Sequence, residues 1–214
     1  MITDVFFDLD GTLTNPMTGI TKSVQYALKS FGIDVKDNRE LTFFIGPPLG
    51  ETFMKYYGFS EKQAERAVEK YREYFAPTGI FENEVYPGTE HMLSSLKDAG
   101  KRLFIATGKP TVFSKKILEH FGLDGYFTDV YGIGMSELHK TKAETLNALM
   151  TDYNACKESS VMVGDRIFDI DAGKKCGIKT VGVSFGFAEK GELEKGADHI
   201  VKNMSELEAL LMKL

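Results

Sequence analysis

The chain has 214 residues, with 43% hydrophobic and 27% charged residues and a formal net charge of -5 at pH 7. These values are typical of a folded globular protein and exclude a disordered or fibrous chain. No run of basic residues provides a footprint for nucleic acid or an anionic membrane surface, so we expect neither partner.

The sequence also bears on the compartment. The N-terminus enters an apolar strand pattern without a charged leader, and no apolar run reaches membrane-spanning length. Cys156 and Cys176 lie in unrelated contexts that lack the spacing of a metal site. We therefore expect a cytoplasmic protein with ordinary reduced thiols, present as a monomer or weak dimer.

The first predicted element is a buried strand, VFFDLD at residues 5–10. A short continuous apolar run bounded by turn residues is typical of a strand covered on both faces, as in a parallel sheet. The run contains Asp8, ends in Asp10 and continues into Gly11 and Thr12.

Residues 15–82 interrupt the strand pattern and are predominantly helical. The apolar residues of ITKSVQYAL repeat with helical spacing, and Ser60 with Gln63 has the spacing of a capping box for another helix. The segment FIGPPLGETF is expected to be a loop that leads into a short helix. TFFI (42–45) is the only candidate strand in this stretch.

Strand and helix patterns alternate along the rest of the chain. Helical patterns end at Gly100 and Gly122, where a left-handed cap is expected, and TKAETLNALM begins with Thr141 and Glu144 at capping-box spacing. The later predicted strands are RLFIATG (102–108), VYGIG (130–134), VMVGD (161–165), TVGVSFG (180–186) and the weaker HIV (199–201).

This alternation predicts an α/β fold with a Rossmann-like open parallel sheet and an inserted α-helical subdomain. The predicted domains are a catalytic core at residues 1–14 and 83–214 and an insert at residues 15–82.

Asp8 and Asp10 are the first candidate functional residues. Side chains two apart on a strand point to the same side, so the two carboxylates converge at the strand end. Such a pair requires a cation or a shared proton, which predicts either a hard metal such as Mg²⁺ or a split pair of pKa values. The alternative is that both residues merely cap a turn, a role that a single Asp can fill.

Further polar and charged residues follow other predicted strands or begin the helices after them. Asp165 closes a predicted strand, and Asp169 returns to the same side if a helix starts between them. Thr107 and Gly108 offer a hydroxyl and an unobstructed amide to phosphate oxygens, and Lys142 adds a positive charge at a helix start. In open α/β sheets, ligands bind beyond the carboxyl ends of the strands, where these residues fall.

The order D-x-D-G-T, T, K and G-D-x-x-x-D resembles the haloacid dehalogenase-like (HAD) phosphatase superfamily over essentially the whole chain. The insert resembles the helical cap of that superfamily. The segments DGTLTNPMTGITKSVQYAL and VYPG are similar to its phosphoglycolate phosphatase-like branch. The resemblance implies a Mg²⁺-dependent phosphatase for a small phosphorylated metabolite, and a sheet order of five-four-one-two-three for the first five core strands.

The resemblance also implies roles for the acidic residues. Asp8 is the expected nucleophile, which forms an aspartyl phosphate. Asp10 is the expected general acid and base, and its backbone carbonyl joins Asp8 and Asp165 as a ligand of Mg²⁺. Asp169 is expected outside the metal ligands, where it orients Lys142 or a metal-bound water.

The remaining implied roles concern the substrate. Gly11, Thr12, Thr107, Gly108 and Lys142 are expected to hold the phosphoryl group, with Thr107 and Lys142 also counted as catalytic. For the leaving group, the candidates in the insert are Lys22 and the loop that begins at Gly46.

Several points stay open at this stage. Lys140 is the alternative to Lys142 as the site lysine, although Lys142 lies in the capped helix pattern. Arg166 either forms a salt bridge or narrows the mouth of the site. Related functions also stay open: a phosphomutase, a 5′-nucleotidase or a pyrophosphatase. A phosphorylatable signalling domain is disfavoured because it lacks an inserted cap and a counterpart of Asp10.

Overall fold

The computed structural model describes residues 1–134 and 141–214. These residues form two compact units, one made of Met1–Asn15 and Val85–Leu214 and the other of Pro16–Glu84. None of the helices in these described residues combines the length and apolar character needed to cross a membrane.

Strands and helices alternate along the first unit, and helices dominate the second. The strands are β1 Asp4–Phe7, β2 Thr14–Asn15, β3 Glu84–Val85, β4 Arg102–Pro110, β5 Asp129–Ile133, β6 Ser160–Gly164, β7 Lys179–Val183 and β8 His199–Val201. The α-helices are α1 Met17–Lys29, α2 Leu49–Tyr57, α3 Glu61–Phe75, α4 Thr89–Asp98, α5 Thr111–His120, α6 Lys142–Asp152, α7 Ile167–Cys176 and α8 Met204–Lys213.

The first unit contains a six-stranded sheet of order β5-β4-β1-β6-β7-β8, in which every pairing is parallel. Counted in chain order, the first five strands of this sheet are β1, β4, β5, β6 and β7. The expected order five-four-one-two-three therefore corresponds to β7-β6-β1-β4-β5 and is confirmed, with β8 added at the edge beside β7. In the register, Phe6 on β1 lies beside Phe104 on β4 and Met162 on β6. Because the strands are parallel, their carboxyl ends meet at one edge of the sheet.

One face of the sheet packs against α6 and α7. Its apolar cluster includes Phe6, Phe104 and Met162 from the strands and Leu146 and Leu149 from α6, all 0% exposed. Full burial of a side chain of this size contributes about 1.5–3 kcal/mol. β1 lies at the centre of the sheet and is buried along its whole length, which places the residues that follow it at the middle of the ligand-binding edge.

The ends of α6 and α7 are determined locally. Thr141 and Glu144 form the predicted capping box, so α6 begins at Lys142. α7 ends at Cys176 and is capped by Gly177, which has a φ of 73° that L-residues rarely adopt. The first cap determines where the first turn of α6 begins, and the second determines where α7 gives way to β7.

The second unit contains α1, α2 and α3, and Ser60 with Gln63 forms the predicted capping box of α3. The strand prediction at TFFI (42–45) is wrong, because Asn38–Phe44 is a 3₁₀-helix. The Asp37 side chain accepts a hydrogen bond from Arg39 N and starts the turn. Leu41 and Phe44, three residues apart, are both buried as this helix requires, and no strand among the described residues pairs with the segment.

Candidate active site

Lys142 holds two carboxylates together at the carboxyl edge of the sheet. Its Nζ lies 2.9 Å from Asp8 Oδ2 and 2.5 Å from Asp169 Oδ1. Asp8 directly follows β1, and Lys142 is the first residue of α6. Burial alone would lower the pKa of Lys142, but the Asp169 and Asp8 carboxylates outweigh that effect and raise it, so the lysine is charged at neutral pH.

Asp165 and Asp169 flank the start of α7. Both carboxylate oxygens of Asp169 have a partner within the protein. Its Oδ1 pairs with Lys142, and its Oδ2 accepts a hydrogen bond of 2.9 Å from Arg166 N. Burial, together with Asp8, raises the pKa of Asp169 to about 6, while Lys142 opposes the rise. Position 164 requires a glycine, because a Cβ there would lie 2.0 Å from Asp169 Cγ.

Asp8, Asp165 and Asp169 form a buried acidic cluster, in which one oxygen of each lies within 4.8 Å of the others. Asp165 Oδ2 accepts a hydrogen bond of 2.7 Å from Phe187 N. Burial and the two neighbouring aspartates raise the pKa of Asp165 well above its ordinary value. Three carboxyl groups thus lie beside the single cation of Lys142, and their full ionisation is favoured only if a further positive charge is present.

Both acidic motifs of the site contain buried side-chain oxygens without a hydrogen-bond partner in the part of the chain that the structure describes. Within the described residues, the buried atoms Asp8 Oδ1, Asp10 Oδ1, Asp165 Oδ1 and Thr12 Oγ1 have no hydrogen-bond partner. A buried oxygen without a partner costs free energy unless a ligand satisfies it. These atoms are therefore candidates for contacts to a cation or a substrate.

Asp10 is paired with a lysine that the sequence analysis missed. Lys109 Nζ lies 2.6 Å from Asp10 Oδ2, and the two side chains are only 7% and 13% exposed. Burial raises the pKa of Asp10 even though Lys109 opposes the rise. The available signal was the position of Lys109 directly after the Thr107-Gly108 motif, since β4 continues past that motif to Pro110.

Gly11 allows two motifs that are distant in sequence to meet. Its φ is 82°, and a Cβ at this position would lie 2.1 Å from Asp165 Oδ2. Gly186 is constrained in the same way, because its Cβ would lie 2.3 Å from the Gly11 carbonyl oxygen. Glycine at these positions lets the backbone after β1 approach the Asp165 carboxylate.

Thr107 and Gly108 differ in their surroundings. Thr107 is buried, and its Oγ1 accepts a hydrogen bond of 3.2 Å from Lys109 N. Gly108 is exposed, and a Cβ there would meet no atom within 4 Å. No close contact therefore requires glycine at position 108.

Arg166 forms a buried salt bridge, with Nε 2.9 Å from Glu192 Oε1. Of the two possibilities that the sequence left open for Arg166, the structure shows the salt bridge. Lys22 and Gly46 belong to the second unit, where Lys22 Nζ pairs with Glu82 Oε1 at 2.5 Å. Lys140, the alternative site lysine, lies outside the described residues.

A parallel sheet of this order, with acidic and lysine side chains at the carboxyl ends of its strands, defines a Rossmann-like α/β protein. In this class of fold, ligands bind at that edge of the sheet. A family model described as haloacid dehalogenase-like hydrolase matches residues 5–183. The chain belongs to this family, which confirms the resemblance to the HAD superfamily.

Individual proteins extend the comparison. A 5′-nucleotidase of Pseudomonas aeruginosa is 42% identical over 89% of this chain and 86% of its own length. The tyrosine-protein kinase PtkA of Mycobacterium tuberculosis is 33% identical over 96% of this chain and 70% of its own length. A crystal structure described as a predicted phosphatase from Clostridium acetobutylicum has a TM-score of 0.96 and 45% identity, with all of both chains covered.

Proposed function

We propose that the chain is a Mg²⁺-dependent phosphatase that hydrolyses a small phosphorylated metabolite through an aspartyl-phosphate intermediate. The environment of Asp8 carries this proposal. Its Oδ2 pairs with Lys142, while its buried Oδ1 has no hydrogen-bond partner among the described residues. The carboxylate is thus fixed by a cation on one side and open to a ligand on the other.

In the proposed reaction, an oxygen of Asp8 attacks phosphorus and the bond from phosphorus to the ester oxygen breaks. Asp10 gives its proton to the departing oxygen, so the products are the aspartyl phosphate and a neutral alcohol. Water then attacks the phosphoryl group, and the Asp10 carboxylate takes the proton from that water. The bond from phosphorus to Asp8 breaks, which releases phosphate and regenerates the Asp8 carboxylate and the protonated Asp10 with which the cycle began.

The donor set fits a hard divalent cation. The unpartnered Asp8 Oδ1 and Asp165 Oδ1 are carboxylate oxygens, which Mg²⁺ prefers, and we assign the Asp10 carbonyl as a further ligand. Asp169 is assigned outside the ligand set because both of its oxygens are already used by Lys142 and Arg166 N. When bound, Mg²⁺ would reduce the repulsion between the carboxylates and an anionic substrate.

The proposed phosphoryl site lies beside Asp8. We assign Lys142, Thr107 and the Gly108 amide to the phosphoryl oxygens. The Gly11 and Thr12 amides, also expected there, instead donate to Thr14 O at 2.7 Å and to Leu9 O at 3.3 Å. Lys142 also holds the Asp8 carboxylate in place, since it contacts both Asp8 and Asp169. The unpartnered Thr12 Oγ1 supports a ligand on this side of the cluster.

The substrate class is proposed separately. We propose that the unit Pro16–Glu84 acts as the cap that selects the leaving group, as the resemblance implies. The relative named 5′-nucleotidase supports nucleoside 5′-monophosphates as the first substrates to test. Phosphoglycolate, sugar phosphates and pyrophosphate complete the panel. The cytoplasmic location and the monomeric or weakly dimeric state stay predictions.

A second candidate is transfer of the phosphoryl group from Asp8 to a hydroxyl other than that of water. One relative is named a tyrosine-protein kinase, and the phosphomutase alternative requires the same step. A sugar bisphosphate primer and a tyrosine-containing peptide are therefore included as acceptors. Transfer predicts that less phosphate is released than substrate is consumed.

The test is a phosphate-release screen over this panel, with and without Mg²⁺, using Asp8→Asn and the matched control Asp171→Asn. Asp171 is an exposed residue of α7. We expect turnover only with Mg²⁺, full activity in Asp171→Asn, and background activity in a folded Asp8→Asn protein. An active Asp8→Asn enzyme would falsify the nucleophile assignment.

A further inference from the structure

Glu192 is a buried carboxylate that the reaction proposed above does not use. Glu192 is only 6% exposed, and its partner Arg166 is 7% exposed. Arg166 directly follows Asp165, whereas Glu192 lies beyond the next strand, β7. The pair therefore joins the segment that carries a proposed metal ligand to a loop that is distant in sequence.

The Glu192 carboxylate accepts hydrogen bonds from both sides. Its Oε1 accepts from Arg166 Nε at 2.9 Å and from Ile167 N at 2.7 Å, which closes the N-terminus of α7. Its Oε2 accepts from Glu189 N at 2.7 Å. Burial alone would raise the pKa of Glu192, but these donors outweigh it and lower the pKa, so the group is ionised at neutral pH.

The same loop reaches Asp165 directly. Phe187 N donates a hydrogen bond of 2.7 Å to Asp165 Oδ2. At Gly186, a Cβ would lie 2.4 Å from Asp165 Cβ, so the backbone passes as close as a glycine permits. The loop 184–192 is thus attached at two points. Phe187 binds Asp165, and Glu192 binds Arg166 and Ile167.

We infer that Glu192 is a positioning residue for Asp165. By holding loop 184–192 against Arg166 and Ile167, Glu192 keeps Phe187 N on Asp165 Oδ2. This arrangement leaves Asp165 Oδ1 as the free oxygen that faces the cation. The inference rests on the proposed function, because it assigns Asp165 as a metal ligand. It adds a residue that touches neither metal nor substrate.

The test measures metal binding directly. Mn²⁺, which accepts the same oxygen ligands, is titrated into the purified full-length protein and free Mn²⁺ is followed by electron paramagnetic resonance. Glu192→Gln is compared with Glu194→Gln, an exposed residue two positions away. The glutamine keeps the size of the side chain but cannot accept hydrogen bonds with both of its terminal atoms.

The expected result is a rise of about 10-fold or more in the Mn²⁺ dissociation constant of Glu192→Gln, the range typical for partners of metal ligands. Glu194→Gln should bind like the wild type. At saturating metal, the KM for substrate should be unchanged in Glu192→Gln. A purely structural role would lower the thermal midpoint in EDTA without changing the dissociation constant of the folded protein.

Arg166→Met provides a second variant if Glu192→Gln does not fold, because it removes the charged donor and keeps much of the aliphatic stem. If Glu192→Gln folds, or Arg166→Met in its place, and binds Mn²⁺ with the affinity of the wild type, the inference is overturned. Failure of the wild type to bind Mn²⁺ would instead overturn the proposed metal site itself, so the two failures are distinguishable.

Discussion

Lys109 Nζ lies 2.6 Å from Asp10 Oδ2, which gives the proposed general acid and base its own cation. Lys142 serves Asp8 and Asp169 in a separate pairing. The two lysines come from different elements, β4 and α6. Each carboxylate proposed for catalysis is therefore held by a different part of the fold.

The Lys109 pairing predicts an effect that depends on the leaving group. Lys109→Met releases Asp10 from its position, so proton donation to the departing oxygen is impaired. For an alkyl phosphate, we expect kcat/KM to fall about 100-fold, the lower range for general acid catalysis. For p-nitrophenyl phosphate, whose leaving group departs without a proton, we expect a fall of less than about 10-fold.

Steady-state kinetics with both substrates provide the measurement, and Lys116→Met, an exposed lysine of α5, is the control. Equal losses for the two substrates would show that Lys109 acts on the phosphoryl group or the fold rather than through Asp10.

Lys142 is predicted to be essential for stability as well as activity. Its side chain is 13% exposed and contacts two buried carboxylates, so Lys142→Met leaves both without a cation. Removal of one partner from a buried ion pair typically costs about 3–5 kcal/mol. We expect a loss near the lower end, about 3 kcal/mol, in urea unfolding with EDTA present.

Lys175→Met, at an exposed position of α7, should unfold like the wild type. A Lys142→Met protein as stable as this control would show that the acidic cluster does not depend on the lysine.

Metal is predicted to stabilise the folded chain. Because the acidic cluster exists only in the native state, ligand binding there shifts unfolding by mass action. At a Mg²⁺ concentration 100 times its dissociation constant, the free energy of unfolding should rise by about 2.7 kcal/mol. Asp165→Asn should remove most of this increment, and EDTA should abolish turnover in the wild type.

Chemical denaturation with and without Mg²⁺ measures the increment. The same increment in Asp165→Asn would place the cation elsewhere.

Two glycines of the site are predicted to differ in their tolerance of alanine. Gly11→Ala forces a Cβ to within 2.1 Å of Asp165 Oδ2 at a φ of 82°, and the left-handed conformation alone costs about 1–2 kcal/mol. We expect loss of activity together with reduced stability. Gly108→Ala meets no atom within 4 Å, and its stability should stay within about 0.5 kcal/mol of wild type.

Thermal and urea unfolding of the two variants, measured in parallel, provide the comparison. A Gly11→Ala protein with wild-type stability and activity would contradict the close approach of the two motifs.

Local signals in the sequence predicted much of the architecture. Apolar runs located the six core strands, and Thr141 with Glu144 located the start of α6, because burial and capping depend on residues close together in the chain. TFFI was misassigned because its aromatic and β-branched residues favour a strand locally, whereas Asp37 and the burial of Leu41 and Phe44 favour a 3₁₀-helix.

The sequence by itself determined which acidic, glycine and lysine residues follow the buried strands. Strand ends and helix caps depend on residues that are close together in the chain, so local patterns predict them. Only the tertiary structure decided the pairings of Lys109 with Asp10 and of Glu192 with Arg166. The resemblance implied that Asp169 orients Lys142, and the structure shows Lys142 in contact with both Asp169 and Asp8. Those contacts depend on which strands are neighbours and on how the loops beyond them return. No short stretch of sequence contains that information.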